Sequence, residues 1–278
     1  MYRIAKVLNH NSIIAIGKED NAEYLILGKG VGFGKKVTQQ FEPGPEATVY
    51  SLKEYTDRGD AKEIIKSVSP ICLELANAVL LEARNTFGRI DGSILFPMAD
   101  HIEYAVKRIQ NHEQISNPLT DDIRVLFHRE YKVAQCIQPL LLERMQVQID
   151  EHEIGYIALH VHSAIEDEKV SQAMQMAQAV RECISLVEKE TGKQIDIMSL
   201  TYNRLMNHVR NMVARALNGE SLKIDMNEYI EIKFPEAFET SRKICKALGR
   251  SLKCSLQDIE IGYLAMHIAQ VTMDELND

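Results

Sequence analysis

The sequence predicts a multidomain protein of α and β parts: a small four-stranded antiparallel β domain followed by two homologous all-α helical bundles. Three observations predict it: a duplication across most of the chain, short extended runs confined to its first 55 or so residues, and a change in the sign of charge between the two regions.

The duplication comes first. Glu153-Ile154-Gly155-Tyr156-Ile157-Ala158-Leu159-His160 reappears 107 residues later as Glu260-Ile261-Gly262-Tyr263-Leu264-Ala265-Met266-His267. The same offset carries His101 to His208, Phe127 to Phe234 and Tyr131 to Phe238. Separately placed matches at one offset mark two homologous domains, near 62–170 and 171–278, behind a head of residues 1–57.

The head reads as strands. Arg3-Ile4-Ala5-Lys6-Val7 alternates, Ile13-Ile14-Ala15-Ile16 is β-branched, and Tyr24-Leu25-Ile26-Leu27 follows the turn residues Glu19-Asp20-Asn21. A fourth run, Thr48–Leu52, comes after Pro43-Gly44-Pro45. Four short strands make a small core for a free-standing domain, and pairing of two heads would enlarge it.

The repeats read as helices. Ser69-Pro70 is an N-cap with a first-turn proline, and Gly88 is the matching stop. Leu95, Met98, Ala99, Ile102, Ala105, Val106 and Ile109 form one helical stripe. Ile154, Ile157, Ala158, Val161, Ala164 and Ile165 form another, and Asn117-Pro118 and Phe234-Pro235 punctuate between helices.

Composition narrows the class. No stretch approaches the roughly 20 apolar residues needed to span a bilayer, and the first residues lack a signal-peptide core, so a soluble cytoplasmic protein is expected. The five scattered cysteines form no C-x-x-C pair, which argues against a disulfide framework or a zinc ribbon. The net charge is −8, yet residues 1–41 carry six Lys/Arg against three Asp/Glu, leaving −11 on the remainder. A basic head on an acidic body is the asymmetry expected when only the head meets a polyanion.

Four of the nine histidines share a helical phase. His101, His160, His208 and His267 each have an apolar or small residue at −3, +1 and +4, and 59 residues separate the two in each repeat. That phase sets each ring at the edge of a buried stripe, where one nitrogen can be held and the other reached. A phosphoryl acceptor requires such a setting. A single histidine of this kind is usually a boundary residue of a core, but four at one phase, paired by duplication, point to phosphorylation. Asp100 beside His101 could orient the ring; its counterpart is Asn207, which predicts that the two copies are not regulated identically. His160 and His162 lie two apart on a helix and point in different directions, so no metal is expected there. His10, His112, His128 and His152 lack repeat partners and read as surface or turn residues.

In the head, Gly28-Lys29-Gly30-Val31-Gly32-Phe33-Gly34-Lys35-Lys36 alternates glycine with two basic sites and one ring. Glycine admits close backbone approach, lysine meets phosphate, and an exposed Phe can stack on an unpaired base. The spacing is not G-x-G-x-x-G, and Val37-Thr38-Gln39-Gln40 does not open a helix, so a dinucleotide loop is disfavoured. With Lys6, Asn9 and Asn11, whose amides can read base edges or 2′-hydroxyls, the loop reads as an RNA-contacting surface.

Ile4-Ala5-Lys6-Val7-Leu8-Asn9-His10-Asn11 followed by this glycine segment resembles the co-antiterminator RNA-binding domain of the BglG/SacY/LicT family of transcriptional antiterminators. Asp100-His101 with Ala105-Val106-Lys107-Arg108, and Gly155-Tyr156-Ile157-Ala158-Leu159-His160, resemble the two phosphoacceptor motifs of that family's regulation domain. The resemblance covers essentially the whole chain. It implies a non-enzymatic, cofactor-free regulator whose dimeric head binds a leader-mRNA hairpin and prevents a terminator from forming. It further implies phosphorylation by the sugar phosphotransferase system, inhibitory at His101 and His160 from the sugar-specific enzyme II. The carrier protein HPr would act at His208 or His267, with activation in many members. RNA contacts carried over by position are Asn9, Asn11, Lys29, Gly30 and Phe33, with Lys6 beside them. Lys29 and Gly34 stand where several relatives have Arg and Gln. With His160-Val161-His162-Ser163-Ala164 they resemble the glucose-responsive branch.

Three rival readings fare worse, one of them a phosphocarrier with no nucleic-acid role, which leaves the basic head unexplained. A metal-dependent hydrolase built on Asp100, His101 and His160 would need a further repeated ligand, and Asp100 becomes Asn207. A DNA-binding activator would need a helix-turn-helix, for which residues 1–55 leave no room.

Overall fold

Extended backbone forms along each run that alternates or is β-branched. In this computed structural model, which describes residues 1–53, 55–56, 59–113, 115–166, 169–197 and 199–273, the head contains β1 (Tyr2–Asn9), β2 (Ser12–Gly17), β3 (Glu23–Leu27), β4 (Gln40–Phe41) and β5 (Thr48–Ser51). They form one antiparallel sheet in the order β4-β1-β2-β3-β5. The sheet therefore has five strands where four were expected. The added one, β4, pairs two residues with Tyr2 and Arg3 at the edge, too short a run to show a period of two. Residue 57, the expected end of the head, and residues 274–278, at the expected end of the second bundle, lie outside the described residues.

The described chain divides into two compact units, Met1–Val170 and Ser171–Asp278. In the first, Ile4, Ile13, Ala15 and Ile26 form the buried face of the sheet, closed by Val31 from the glycine segment. Each buried isoleucine contributes about 1.5–3 kcal/mol, so this core is small. A short hairpin, β6 (Tyr55–Thr56) and β7 (Gly59–Asp60), leads into α1 (Ala61–Ser67) and α2 (Pro70–Phe87). Helix α2 begins where its signals place it: the Ser69 hydroxyl accepts from the Cys72 amide, and Gly88 stops the helix at φ +86°. The head rests on α2 and the turn beyond it. Tyr50 donates its hydroxyl proton to Asn77 Oδ1 at 2.7 Å and meets the Phe96 ring edge-on.

The first bundle continues with α3 (Leu95–Gln110), α4 (Thr120–Leu126), α5 (His128–Ala134), α6 (Ile137–Met145) and α7 (Glu151–Ile165). Both predicted stripes are buried except at their ends, Ile109 and Ile165, which are half-buried. The second unit repeats the plan with α8 (Val170–Thr191), α9 (Leu200–Asn218), α10 (Asn227–Lys233), α11 (Pro235–Leu252) and α12 (Ile259–Met273). Where the first copy has α5 and α6, the second has the single helix α11. Pro139 explains the difference: it has no N–H to give to the Gln135 carbonyl and its ring clashes there. That carbonyl accepts instead from Gln138, one residue early. The counterpart of Pro139 is Lys246, and the helix runs on.

The five cysteines are free thiols. Cys72, Cys183 and Cys245 are buried, and burial pushes the thiols of Cys72 and Cys245 up to about 12.

Candidate functional site

The glycine segment is built against the β1–β2 turn. Gly28 N donates to the Asn11 carbonyl and Gly32 N to the His10 carbonyl, at 3.0 and 2.9 Å. Position 32 admits only glycine, because a Cβ there would fall 2.1 Å from the Asn9 carbonyl oxygen. Gly30 takes φ +70°, in the left-handed region glycine occupies freely. Its N–H donates to Asn11 Oδ1 at 2.9 Å.

These bonds fix the amide orientations. Asn9 Oδ1 accepts from the Asn11 amide at 2.8 Å and from the Ser12 hydroxyl at 2.7 Å. With both side-chain oxygens engaged by the turn and the loop, both Nδ2 groups face away from it as donors. The edge therefore presents a matched pair of N–H donors, the arrangement that reads acceptors on a base edge, a sugar or a phosphate. Beside them Phe33 is 69% exposed, with the His10 ring edge-on at 5.4 Å. Lys6, Lys29 and Gly30 are exposed. The structure thus joins Asn9, Asn11 and Gly30 by hydrogen bonds and adds His10, which the sequence alone reads as a surface or turn residue. In this conformation each amide gives one N–H within the chain: Asn9 Nδ2 and Asn11 Nδ2 donate to Glu74 Oε1 and Oε2 at 2.6 and 3.0 Å.

The histidines form two pairs, one per repeat. The rings of His101 (α3) and His160 (α7) lie 5.5 Å apart, with Tyr156 also 5.5 Å from His101. Those of His208 (α9) and His267 (α12) lie 4.7 Å apart, with Tyr263 stacked at 6.4 Å. The first pair corrects the expectation of boundary positions: His101 and His160 are only 7% and 2% exposed. Phase along one helix gives the edge of its own stripe but not the cover supplied by the facing helix, and α3 and α7 face one another here. The second pair is half-buried, as the phase predicts.

A duplicated ion pair sits beside each pair of rings. Arg108 Nη2 donates to Glu153 Oε1 at 2.6 Å, while Glu153 Oε2 lies 3.1 Å from His101 Nε2. Burial would raise the Glu153 carboxyl, but His101 and Arg108 outweigh it and hold it below its ordinary value. In the second copy Arg215 takes both oxygens of Glu260, at 2.7 and 2.8 Å. His208 Nε2 and His267 Nδ1 are buried without a hydrogen-bond partner among the described residues. Burial, then neighbouring His267 and Arg215, drives His208 down to about 3; burial and Arg204 also lower His267. Both rings are therefore neutral near pH 7, the form whose nitrogen lone pair can accept a phosphoryl group. Arg108/Arg215 and Glu153/Glu260 share the offset of 107, so the repeat itself carried the signal that would have found them.

His162 lies 3.1 Å from Glu130 and packs on Phe127, away from the His101–His160 pair. His152, expected at the surface, is half-buried, with Nδ1 2.7 Å from Thr120 Oγ1. Among the described residues no group of three His, Cys, Asp or Glu could hold a metal ion. Nor is any described helix long and apolar enough to cross a membrane.

Comparison with known proteins places these features. The CAT RNA binding domain family matches residues 2–58, and the PRD domain family matches twice, at 73–164 and 181–271. Protein GlcT of Staphylococcus epidermidis is 29% identical over 96% of this chain and 95% of its own length. The GlcA/glcB genes antiterminator of Staphylococcus carnosus is 26% identical over 98% and 96%. A crystal structure of GlcT CAT-PRDI superposes with a TM-score of 0.51 at 28% identity, covering 59% of this chain and 98% of that one. The chain belongs to the antiterminator family that joins a CAT RNA-binding domain to two PRD domains, a family of regulators rather than enzymes.

Proposed function

We propose that this member of the CAT–PRD family is an RNA-binding transcriptional antiterminator of a sugar-utilisation operon. Its head, as a homodimer, binds a hairpin in the leader of the nascent transcript and stabilises it against an overlapping terminator. The observation that carries this reading is the donor pair of Asn9 and Asn11, fixed beside exposed Phe33 and Lys29 on a glycine loop. The names of the similar staphylococcal proteins, one of them an antiterminator of two genes, support the same reading.

The histidine pairs regulate the head by phosphorylation from the sugar phosphotransferase system. The sugar-specific enzyme II acts on His101 and His160, and HPr acts on His208 or His267. Each phosphoryl group adds close to two negative charges. In the first repeat that charge arrives beside the buried Glu153 carboxylate, where repulsion must rearrange the Arg108–Glu153 pair. In the second repeat Arg215 already neutralises Glu260, and the neutral rings accept the group with less disturbance.

The reading is tested by titrating the full-length protein with a leader hairpin carrying unpaired bases, against its scrambled-stem control at fixed salt. Wild type prefers the hairpin, and Asn11→Ala or Phe33→Ala weakens that binding about tenfold or more, as expected for a lost base contact or stack. Equal affinity for hairpin and control would refute antitermination.

A further inference from the structure

We propose that Glu74 is an internal competitor of RNA: a carboxylate of the first PRD that engages both side-chain amides with which the head reads its ligand. This rests on the RNA-reading role of Asn9 and Asn11 proposed above, and adds how that site is masked.

The geometry is specific. One carboxylate spans both amides, Oε1 on Asn9 Nδ2 and Oε2 on Asn11 Nδ2. A carboxylate offers two acceptor oxygens with negative charge, as a phosphate does, and a base edge offers such acceptors without the charge. Arg144 Nη2, from the end of α6, donates to Glu74 Oε2 at 2.7 Å, and the Glu74 side chain is only 10% exposed. Three donors thus satisfy a nearly buried anion and hold it in place. While Glu74 stays there, it takes one N–H of each amide, and the anion repels an approaching phosphate backbone.

The duplication shows that this carboxylate is no requirement of the bundle. Aligned on the glycines that close α2 and α8, Gly88 and Gly192, Glu74 corresponds to Gln178 and Asn77 to Arg181, while Arg144 near the end of α6 corresponds to Ser251 near the end of α11. The residues with which α2 and α6 hold the head are polar in the first copy and differ in the second. Glu74 thus serves the docking of the head as well as its pairing with Arg144 between α2 and α6.

The consequence is a competition. If the head binds RNA only when Glu74 is withdrawn, the observed dissociation constant is the intrinsic one divided by the fraction of molecules in which it is withdrawn. Removing the carboxylate raises that fraction.

Full-length wild type, Glu74→Gln, Glu74→Ala and Asn11→Ala proteins are titrated with the leader hairpin and its scrambled-stem control at one salt concentration, after matching helical circular dichroism. Glu74→Gln keeps the size of the side chain but sets an amide donor against the Asn donors, so it tests the contact without opening a cavity. Both Glu74 variants are expected to bind the hairpin roughly tenfold tighter than wild type, the effect of losing charge-assisted hydrogen bonds from the closed state. Affinity for the control changes much less. If wild type prefers the hairpin and Asn11→Ala abolishes the preference, yet neither Glu74 variant binds tighter, the masking proposal is overturned and the RNA-reading role stands. If no protein distinguishes hairpin from control, the RNA-reading role fails and the masking proposal with it.

Discussion

The histidines of the two repeats have different neighbours. His101 has a carboxylate 3.1 Å away, whereas His208 has a second imidazole, the Tyr263 ring and an arginine that is itself committed to Glu260. The sign of the effect on stability follows. With its pKa moved from 6.5 to about 3, the folded state binds fewer protons at His208 than the unfolded state between those values. The contribution is fully present above pH 6.5 and is lost as the pH falls toward 3. Each pH unit inside that window costs about 1.4 kcal/mol at most. The melting temperature of the wild type should therefore fall more steeply between pH 6.5 and 4 than that of His208→Gln, which cannot titrate there. Parallel curves would show that His208 protonates as readily in the fold as in the unfolded chain.

Helix continuity separates the two copies at the level of elements. Position 139 is proline and interrupts the first copy; position 246 is lysine and α11 runs through. Lys246 is exposed, so its side chain contributes little packing and the backbone effect can be isolated. Lys246→Pro should cost about 3 kcal/mol through the lost hydrogen bond to the Arg242 carbonyl and the ring clash. Lys246→Gln should be neutral, and thermal unfolding followed by circular dichroism distinguishes them. An unchanged melting temperature for Lys246→Pro would mean that α11 tolerates the same break as α5–α6. Elements of this kind were legible in the sequence because their causes are local. Ser69-Pro70 and Gly88 bound α2 through bonds spanning four residues or fewer, and the stripes of α3 and α7 follow from helical period alone. Strand β4 was not legible, since two residues carry no periodicity and only pairing with Tyr2 and Arg3 makes them a strand. The depth of His101 and His160 was hidden for the same reason: it depends on two helices 59 residues apart in sequence, and neither stripe specifies its cover.

Over the whole molecule, charge and readout are separable. The basic head carries Lys6, Lys29 and Lys36 exposed, while Lys35 lies over the Phe41 ring. The asparagines carry no charge and are fixed as donors by the turn. Lysines that meet phosphate release counterions and set the salt dependence of binding; amides that meet base edges set its selectivity. The sequence showed both classes by composition and resemblance. It could not show that a carboxylate 65 residues from Asn9 joins them, because no local pattern distinguishes Glu74 from other helix-surface acids. A measurement over a range of salt concentrations divides the two classes. With about three phosphates neutralised by the head, log affinity for the hairpin should fall against log salt with a slope near −3. Lys29→Ala should flatten that slope by about one and weaken hairpin and scrambled control alike. Asn11→Ala should leave the slope unchanged and remove the preference for the hairpin. A slope near zero in the wild type would mean that the basic head does not meet the phosphate backbone at all, and the charge asymmetry of the chain would need another cause.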